Sequence, residues 1–308
     1  MPHVRVRALA KVNLDLRVLG PRPDGYHEIR TVFQTISLSD RLEIEYHPGR
    51  RRTVDLSCTL PGLEGPDNLA SRAAVSLLDA TRAPGGVRIH LDKRIPAGAG
   101  LGGGSSDAAA VLRALASLLR PRPNFDLLRK LAAGLGSDVP FFLVGGRALG
   151  IGRGAEVYRL PDAPPRWLLV AAPPFAVSTA EAYRRLGAQL TSGSGNDKID
   201  RFCSRVCAAE RGAVAGWAPD PENDFENVVF QMHPELRRLK ARLKQLGARP
   251  ALLCGSGSAV FGVFSDRRQA ARARQSLEPK VGDCFVVKTV SRTECLARWR
   301  RWLGEAGG

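Results

Sequence analysis

Apolar and polar residues alternate at the start of the chain. Val4, Val6, Ala8 and Ala10 recur at every second position, and Val12, Leu14, Leu16 and Val18 continue the period. Period two belongs to a strand, so Lys11, Asn13, Asp15 and Arg17 are expected together on the opposite face. The turn-rich stretch Gly20-Pro21-Arg22-Pro23-Asp24-Gly25 follows. Strand-like runs are expected at 31–36 and 41–46, then a turn at Pro48-Gly49 and a strand at 54–58. Residues 68–80 carry Leu69, Ala73, Leu77 and Leu78 at helical spacing. Val87, Ile89 and Leu91 return to period two. A long helix is expected from about residue 107, with Ala108, Val111, Leu112, Leu115, Leu118 and Leu119 as its stripe. Asn124 or Asp126 caps the next, short helix, which ends near Gly134 or Gly136.

Residues 161–166 hold three prolines and few apolar groups, which predicts a domain boundary, with domains at 1–163 and 164–308. Beyond it the pattern predicts a strand at 167–172, helices at 179–190 and 197–216 around a small flexible loop at 191–195, and a basic amphipathic helix at 235–246. Strands at 251–254 and 260–264 flank Gly255-Ser256-Gly257-Ser258. Asp266 and Gln269 form a capping box for a helix ending at Leu277, and a last strand runs over 285–290. This order resembles a ferredoxin-like β-α-β-β-α-β unit.

Composition narrows the class. At 308 residues, 44% apolar and 25% charged, the chain is long and apolar enough to bury a core without staples. No apolar run approaches the ~20 residues that span a bilayer. The first residues lack the apolar block of a signal peptide, so a cytoplasmic protein is expected. Six cysteines show no C-x-x-C spacing, and Cys203 and Cys207 lack a second pair, so reduced thiols are expected rather than a zinc site. The net charge of +16 raises the question of nucleic acid. Each half of the chain holds 23 basic and 15 acidic residues, so the charge is spread evenly, and aromatics at 6% are too few for a stacking platform. A basic surface also suits polyanionic small molecules.

The strongest chemical signal is Pro96-Ala97-Gly98-Ala99-Gly100-Leu101-Gly102-Gly103-Gly104-Ser105-Ser106, followed by Asp107 and a helix. Glycines let backbone N–H groups converge, and a helix N-terminus adds unpaired donors, which together make a phosphate cradle. Ser105 and Ser106 can cap the helix or donate to phosphate oxygens, and Asp107 is expected to point away from a phosphate or help hold a metal. The stretch lacks the lysine of a Walker loop, and it lies too far from a strand for a dinucleotide fingerprint. Asp138, in Gly136-Ser137-Asp138-Val139-Pro140, can deprotonate a substrate hydroxyl or simply cap a turn. Lys11 can neutralise charge during phosphoryl transfer or be an exposed strand lysine. Tyr26 and His27, after a turn, can read a base or be ordinary turn residues.

Ala10-Lys11-Val12-Asn13-Leu14, Asp24-Gly25-Tyr26-His27, the 96–107 loop, Gly136-Ser137-Asp138-Val139-Pro140 and Gly255-Ser256-Gly257-Ser258 occur in that order. In this the chain resembles the GHMP-type small-molecule kinases over about residues 5–290. The Lys11–Asn13 strand, Tyr26-His27 and Asn223-Asp224-Phe225-Glu226 suit a member that phosphorylates a cytidine diphosphate-linked polyol. The resemblance implies a two-domain α/β (α+β) fold, with a ribosomal-protein-S5-like N-terminal domain, a ferredoxin-like C-terminal domain and a cleft between them. It implies transfer from ATP, with Mg2+, to a hydroxyl of the methylerythritol part of the acceptor, in isoprenoid precursor synthesis. Carried over by motif, Asp138 is the base and Lys11 holds the reacting hydroxyl and the base. Residues 96–106 wrap the ATP phosphates, and Asn68 approaches the adenine side. Tyr26 and His27 contact the cytosine with Asn13 nearby, and Thr179-Ala180-Glu181-Ala182-Tyr183 brings Tyr183 as a second aromatic. No protein ligand of the metal is singled out, and no nucleic-acid or membrane partner is expected. The rivals are a kinase of the same family acting on homoserine, mevalonate or a sugar, and a basic RNA-binding protein.

Overall fold

The structure is a computed structural model and describes residues 2–189, 195–211, 220–277 and 281–304. Its first sheet grows from two long strands, β1 (His3–Pro21) and β2 (His27–His47), paired antiparallel along nearly their whole length. The two runs expected at 31–36 and 41–46 are thus one strand. Its polar middle, Ser37, Ser39 and Asp40, hides the continuity, and a register shift opposite Leu9–Lys11 absorbs it. β3 (Val54–Cys58) lies parallel to β4 (Gly86–Asp92), and α1 (Leu69–Thr81) makes the crossover between them. After β4 come α2 (Gly103–Leu118), α3 (Phe125–Leu135), the short α4 (Val139–Val144), β5 (Arg147–Gly152) and β6 (Glu156–Arg159). β4 and β5 pair with opposite ends of β2, and β6 extends β5.

Residues 161–166 then lead to a second sheet. It holds β7 (Trp167–Ala172), β8 (Ala251–Leu253), β9 (Val260–Phe264) and β10 (Asp283–Lys288), in the order β10-β7-β9-β8. That order, with every neighbouring pair antiparallel, is the ferredoxin-like arrangement expected from the sequence. Its helices are α5 (Thr179–Gln189), α6 (Gly195–Arg211), α7 (Glu226–Met232), α8 (Pro234–Gln245) and α9 (Arg267–Leu277). Of the loop expected at 191–195, Gly195 instead begins α6 and the rest lies outside the described residues, as does the end of the helix expected to 216. α10 (Arg292–Gly304), which has no counterpart in the sequence reading, returns to the first sheet, where Trp299 joins the core beside α2.

The even-numbered residues of β1 serve three cores in turn. Val4, Val6 and Ala8 pack with α1 and α2. Ala10, Val12 and Leu14 pack against Leu168, Val170, Phe261 and Cys254, which seals one sheet onto the other. Leu16 and Val18 pack with the helices of the second sheet. One alternation predicted one face; the register shifts near Lys11 and Asp15 bend the strand and hand its apolar side from core to core. β1 therefore runs through the junction of the two sheets, which is where Lys11 and Asn13 sit. Among the described residues no helix is long and apolar enough to cross a membrane, and the six cysteines are free.

Candidate active site

α2 starts at Gly103, so Gly103, Gly104, Ser105 and Ser106 are its first turn and not part of the loop before it. Glycines carry no apolar period, which is why the sequence pattern starts the helix about four residues late. Gly102 is the N-cap, at φ 71° with no side-chain cap bond. A Cβ there would lie 2.8 Å from the Phe142 ring and 3.1 Å from Lys11 Cγ. The Ser106 amide donates to the Gly102 carbonyl at 2.9 Å, whereas those of Gly103, Gly104 and Ser105 before it have no intrahelical acceptor and carry the positive end of the helix dipole. The loop is also wedged against the second sheet. Gly100 takes φ 78°, and a Cβ on it would come 1.9 Å from the Cys254 carbonyl oxygen. The Ala259 amide donates to the Ala99 carbonyl at 3.1 Å, and the Lys11 amide donates to Leu101 at 3.0 Å.

The two serines separate. Ser105 faces the cleft, whereas buried Ser106 donates its hydroxyl to the Leu9 carbonyl at 2.7 Å. The Ser106 side chain thus ties α2 to β1 and is turned away from a ligand, against the expectation that it donates to phosphate. Neither serine caps the helix. Asp107 accepts from Lys93 Nζ at 3.0 Å, and the same ammonium lies 2.5 Å from Asp40. The other Asp40 oxygen accepts the amides of Arg94 and Ile95 at 2.6 and 2.8 Å. Burial pushes the Asp107 carboxyl upward and Lys93 opposes the shift. Among the described residues Asp107 Oδ1 has no hydrogen-bond partner.

Lys11 and Asp138, far apart in sequence, meet here. Lys11 Nζ lies 2.8 Å from Asn13 Oδ1 and 3.3 Å from Asp138 Oδ2. The Lys11 side chain is 5% exposed, so it is not a surface lysine of a strand. Asn13 donates onward to the Thr31 hydroxyl at 2.8 Å, which fixes the amide's orientation. Asp138 sits at the N-cap position of α4, yet its carboxylate makes no cap bond and its side chain keeps 31% exposure. The carboxylate is held by the lysine and remains open to the cleft.

The other end is aromatic. The His27 ring stacks on Tyr183 at 4.9 Å, and Tyr183 meets Phe225 edge-on at 4.7 Å. Desolvation lowers the His27 pKa and keeps the ring neutral at pH 7. Burial, aided by the Asp138 charge, raises that of Tyr183. Thr179 and Ser256 share a hydrogen bond at 2.9 Å, which ties the start of α5 to the small-residue loop. Asn68 caps α1, accepting from the Ala70 amide at 2.8 Å and donating to the Leu63 carbonyl at 2.7 Å.

These groups surround one cleft of about 940 Å³. Every candidate catalytic or ligand-contacting residue named from the sequence lines it except Ser106. Lys93, Ser137, Arg153 and Arg184 line it too and were missed. Lys93 adjoins the glycine loop but shows no pattern of its own. Arg153 sits in a Gly-Arg-Gly tip whose neighbours are set only by folding.

Comparison with known proteins agrees with this architecture. The family model described as the GHMP kinases N terminal domain matches residues 68–146, and the GHMP kinases C terminal model matches residues 208–284. A 4-diphosphocytidyl-2-C-methyl-D-erythritol kinase of Solibacter usitatus (strain Ellin6076) is 49% identical, with 98% of this chain and 94% of that one covered. One of Moorella thermoacetica (strain ATCC 39073 / JCM 9320) is 42% identical, with 94% of this chain and 100% of that one covered. A crystal structure of 4-(cytidine 5'-diphospho)-2C-methyl-D-erythritol kinase superposes with a TM-score of 0.75 at 40% identity, covering 92% of this chain and 98% of that one. With both family domains matched and relatives this close over nearly its whole length, the chain belongs to the GHMP kinases.

Proposed function

We propose that the protein transfers the γ-phosphoryl group of ATP to a hydroxyl of 4-diphosphocytidyl-2-C-methyl-D-erythritol, giving the 2-phosphate and ADP, as a step of non-mevalonate isoprenoid precursor synthesis. The observation that carries this reading is one cleft with a Lys11–Asp138 pair at its centre, a glycine-rich helix start on one side and a His27–Tyr183 stack on the other. Two of the chain's relatives bear the name of that kinase.

Phosphoryl transfer needs positioning and charge stabilisation more than covalent chemistry. The Asp138 carboxylate accepts the proton of the acceptor hydroxyl, and the Lys11 ammonium holds that carboxylate in place. Lys11 also faces the space where negative charge develops, in a pocket that shields it from water. The amides at the α2 start cradle the donor phosphates, with residues 96–105 as the wrap and Asn68 at the adenine side. His27 hydrogen-bonds the cytosine between the faces of Tyr26 and Tyr183, while Asn13 and Thr179 border the acceptor. The described residues fit a magnesium ion beside ATP: the unpartnered Asp107 Oδ1 and the Ser105 hydroxyl are hard oxygen donors at the phosphate cradle. Those two would hold it, and when bound it neutralises charge on the transferring phosphates.

The test is ADP release from MgATP with this acceptor, against homoserine, mevalonate and galactose. Turnover with the cytidine compound alone is expected; turnover with another alcohol would replace the acceptor assignment. Asp138→Asn is expected to lower kcat by about 10²- to 10⁴-fold while ATP binding stays nearly intact. An unchanged kcat would remove Asp138 from the reaction.

A further inference from the structure

The two aromatic walls at the base-reading end are braced in different ways. Tyr183 is held by packing, stacked on His27 and at right angles to Phe225. Tyr26 is 49% exposed and sits on a turn. Its backbone is fixed, since its amide donates to Asp24 Oδ1 at 3.2 Å and its carbonyl accepts from Arg22 at 2.8 Å. Its hydroxyl makes no hydrogen bond among the described residues. The ring instead carries the Arg153 guanidinium on one face, 4.9 Å from the centroid.

Arg153 is itself anchored. It lies at the tip joining β5 to β6, between Gly152 at φ 66° and Gly154 at φ 96°. Gly154 donates its amide to Ile151 at 2.9 Å and closes the tip. The guanidinium donates to the Ala133 carbonyl in α3 at 2.6 Å. No carboxylate lies within ion-pair distance of it among the described residues. The guanidinium is thus tied to a helix and lies over a ring.

We propose that Arg153 is a positioning residue: its guanidinium, anchored to α3, holds the Tyr26 ring as the second wall of the slot that takes the cytosine. The inference rests on the cytidine reading given above. A half-exposed tyrosine left to itself loses rotamer freedom when a ligand stacks on it. A cation already over one face settles that orientation before binding and leaves the other face for the base. Arg153 therefore acts through Tyr26, not on the substrate's phosphates.

The test is a double-mutant cycle on CMP binding, read by calorimetry. Arg153→Gln is expected to weaken CMP by about 3- to 10-fold, with kcat at saturation and the KM for ATP unchanged. Arg153→Lys is expected to recover part of the loss. In a Tyr26→Ala background, Arg153→Gln is expected to cost nothing further. An equal loss in both backgrounds would overturn the proposal, because Arg153 would then act on the ligand directly. A second measurement needs no ligand: the Arg153 side-chain protons of the free protein should show an upfield ring-current shift that disappears in Tyr26→Ala. Absence of that shift would also overturn the strut. If the shift is present and the native protein fails to bind CMP, the cytidine reading falls, and with it the role assigned to the strut in base binding.

Discussion

The ammonium of Lys11 is almost wholly removed from water, and a buried charge must be repaid by its neighbours. Asn13 and Asp138 do so at 2.8 and 3.3 Å. Lys11→Met would leave Asp138 without a counter-charge and the Asn13 carbonyl oxygen without its donor. The expected outcome is a fall in kcat of at least about 10²-fold, with ATP affinity changed far less, checked by single-turnover kinetics beside an ATP titration. His27 yields a pH prediction. Desolvation lowers its pKa, so the neutral ring persists below the ordinary histidine value of about 6.5. A neutral imidazole offers one donor and one acceptor, and protonation removes the acceptor. The KM for the cytidine acceptor is expected to rise only as pH falls below about 6.5, and the KM for ATP should not follow. His27→Gln, which cannot titrate, should flatten that rise. A rise that survives in His27→Gln would place the titrating group elsewhere.

Elements with a long apolar period were legible, and those defined by their partners were not. α1, α3 and α8 follow stripes that the sequence displays. β5, with two glycines in six residues, is a strand because β2 lies beside it. Asn223-Asp224-Phe225-Glu226 carried a resemblance but no structural reading, and its work is long-range. Asn223 donates to the Leu253 and Gly255 carbonyls, Asp224 accepts from Arg17 and the Val18 amide, Phe225 backs Tyr183, and Glu226 accepts from the Leu253 amide. This stretch holds the small-residue loop against the glycine loop, where Gly100 meets the Cys254 carbonyl. Gly100→Ala would place a methyl within that contact at a backbone angle that disfavours any side chain. It is expected to raise the KM for ATP by 10-fold or more, an order of magnitude set by misplacing a positioning loop. The unfolding midpoint should fall as well. An alanine variant with native ATP affinity would show that the loop's seat on Cys254 is dispensable.

At the scale of the whole molecule, the charges that join its parts come from distant stretches, so spacing could not reveal them. Asp15 of β1, only 2% exposed, lies 2.9 Å from Arg205 of α6 and 3.3 Å from Arg17. Arg17 also pairs with Asp224 at 2.8 Å and with Glu222, and Lys198 of α6 reaches Asp224 at 3.1 Å. The first sheet, α6 and the stretch before α7 are therefore held by one ionic cluster with Asp15, Arg17 and Asp224 buried at its core. The sequence placed Asp15 and Arg17 on the face of Lys11 but gave them no partner. Burial pushes Asp15 up to about 6; Arg205 and Arg17 pull against it, and Glu222 adds to it. Burial works against the Arg17 charge, and Asp15 and Asp224 outweigh it, so the cation persists. Between about pH 4 and 6 the folded chain thus holds a proton on Asp15 that the unfolded chain, with an ordinary aspartate value of about 3.9, has released. Stability from this group is full below about pH 4 and is lost as pH rises through about 6, on the order of 3 kcal/mol across the window. Asp15→Asn keeps the shape and cannot titrate. Measured by urea unfolding at pH 4 and pH 7, the advantage of the native chain over Asp15→Asn is expected to shrink on going to the higher pH. The comparison cancels the other carboxylates, which titrate in both proteins. A difference that stays constant, or widens as pH rises, would show that Asp15 is ionised within the cluster and that the two arginines outweigh its burial.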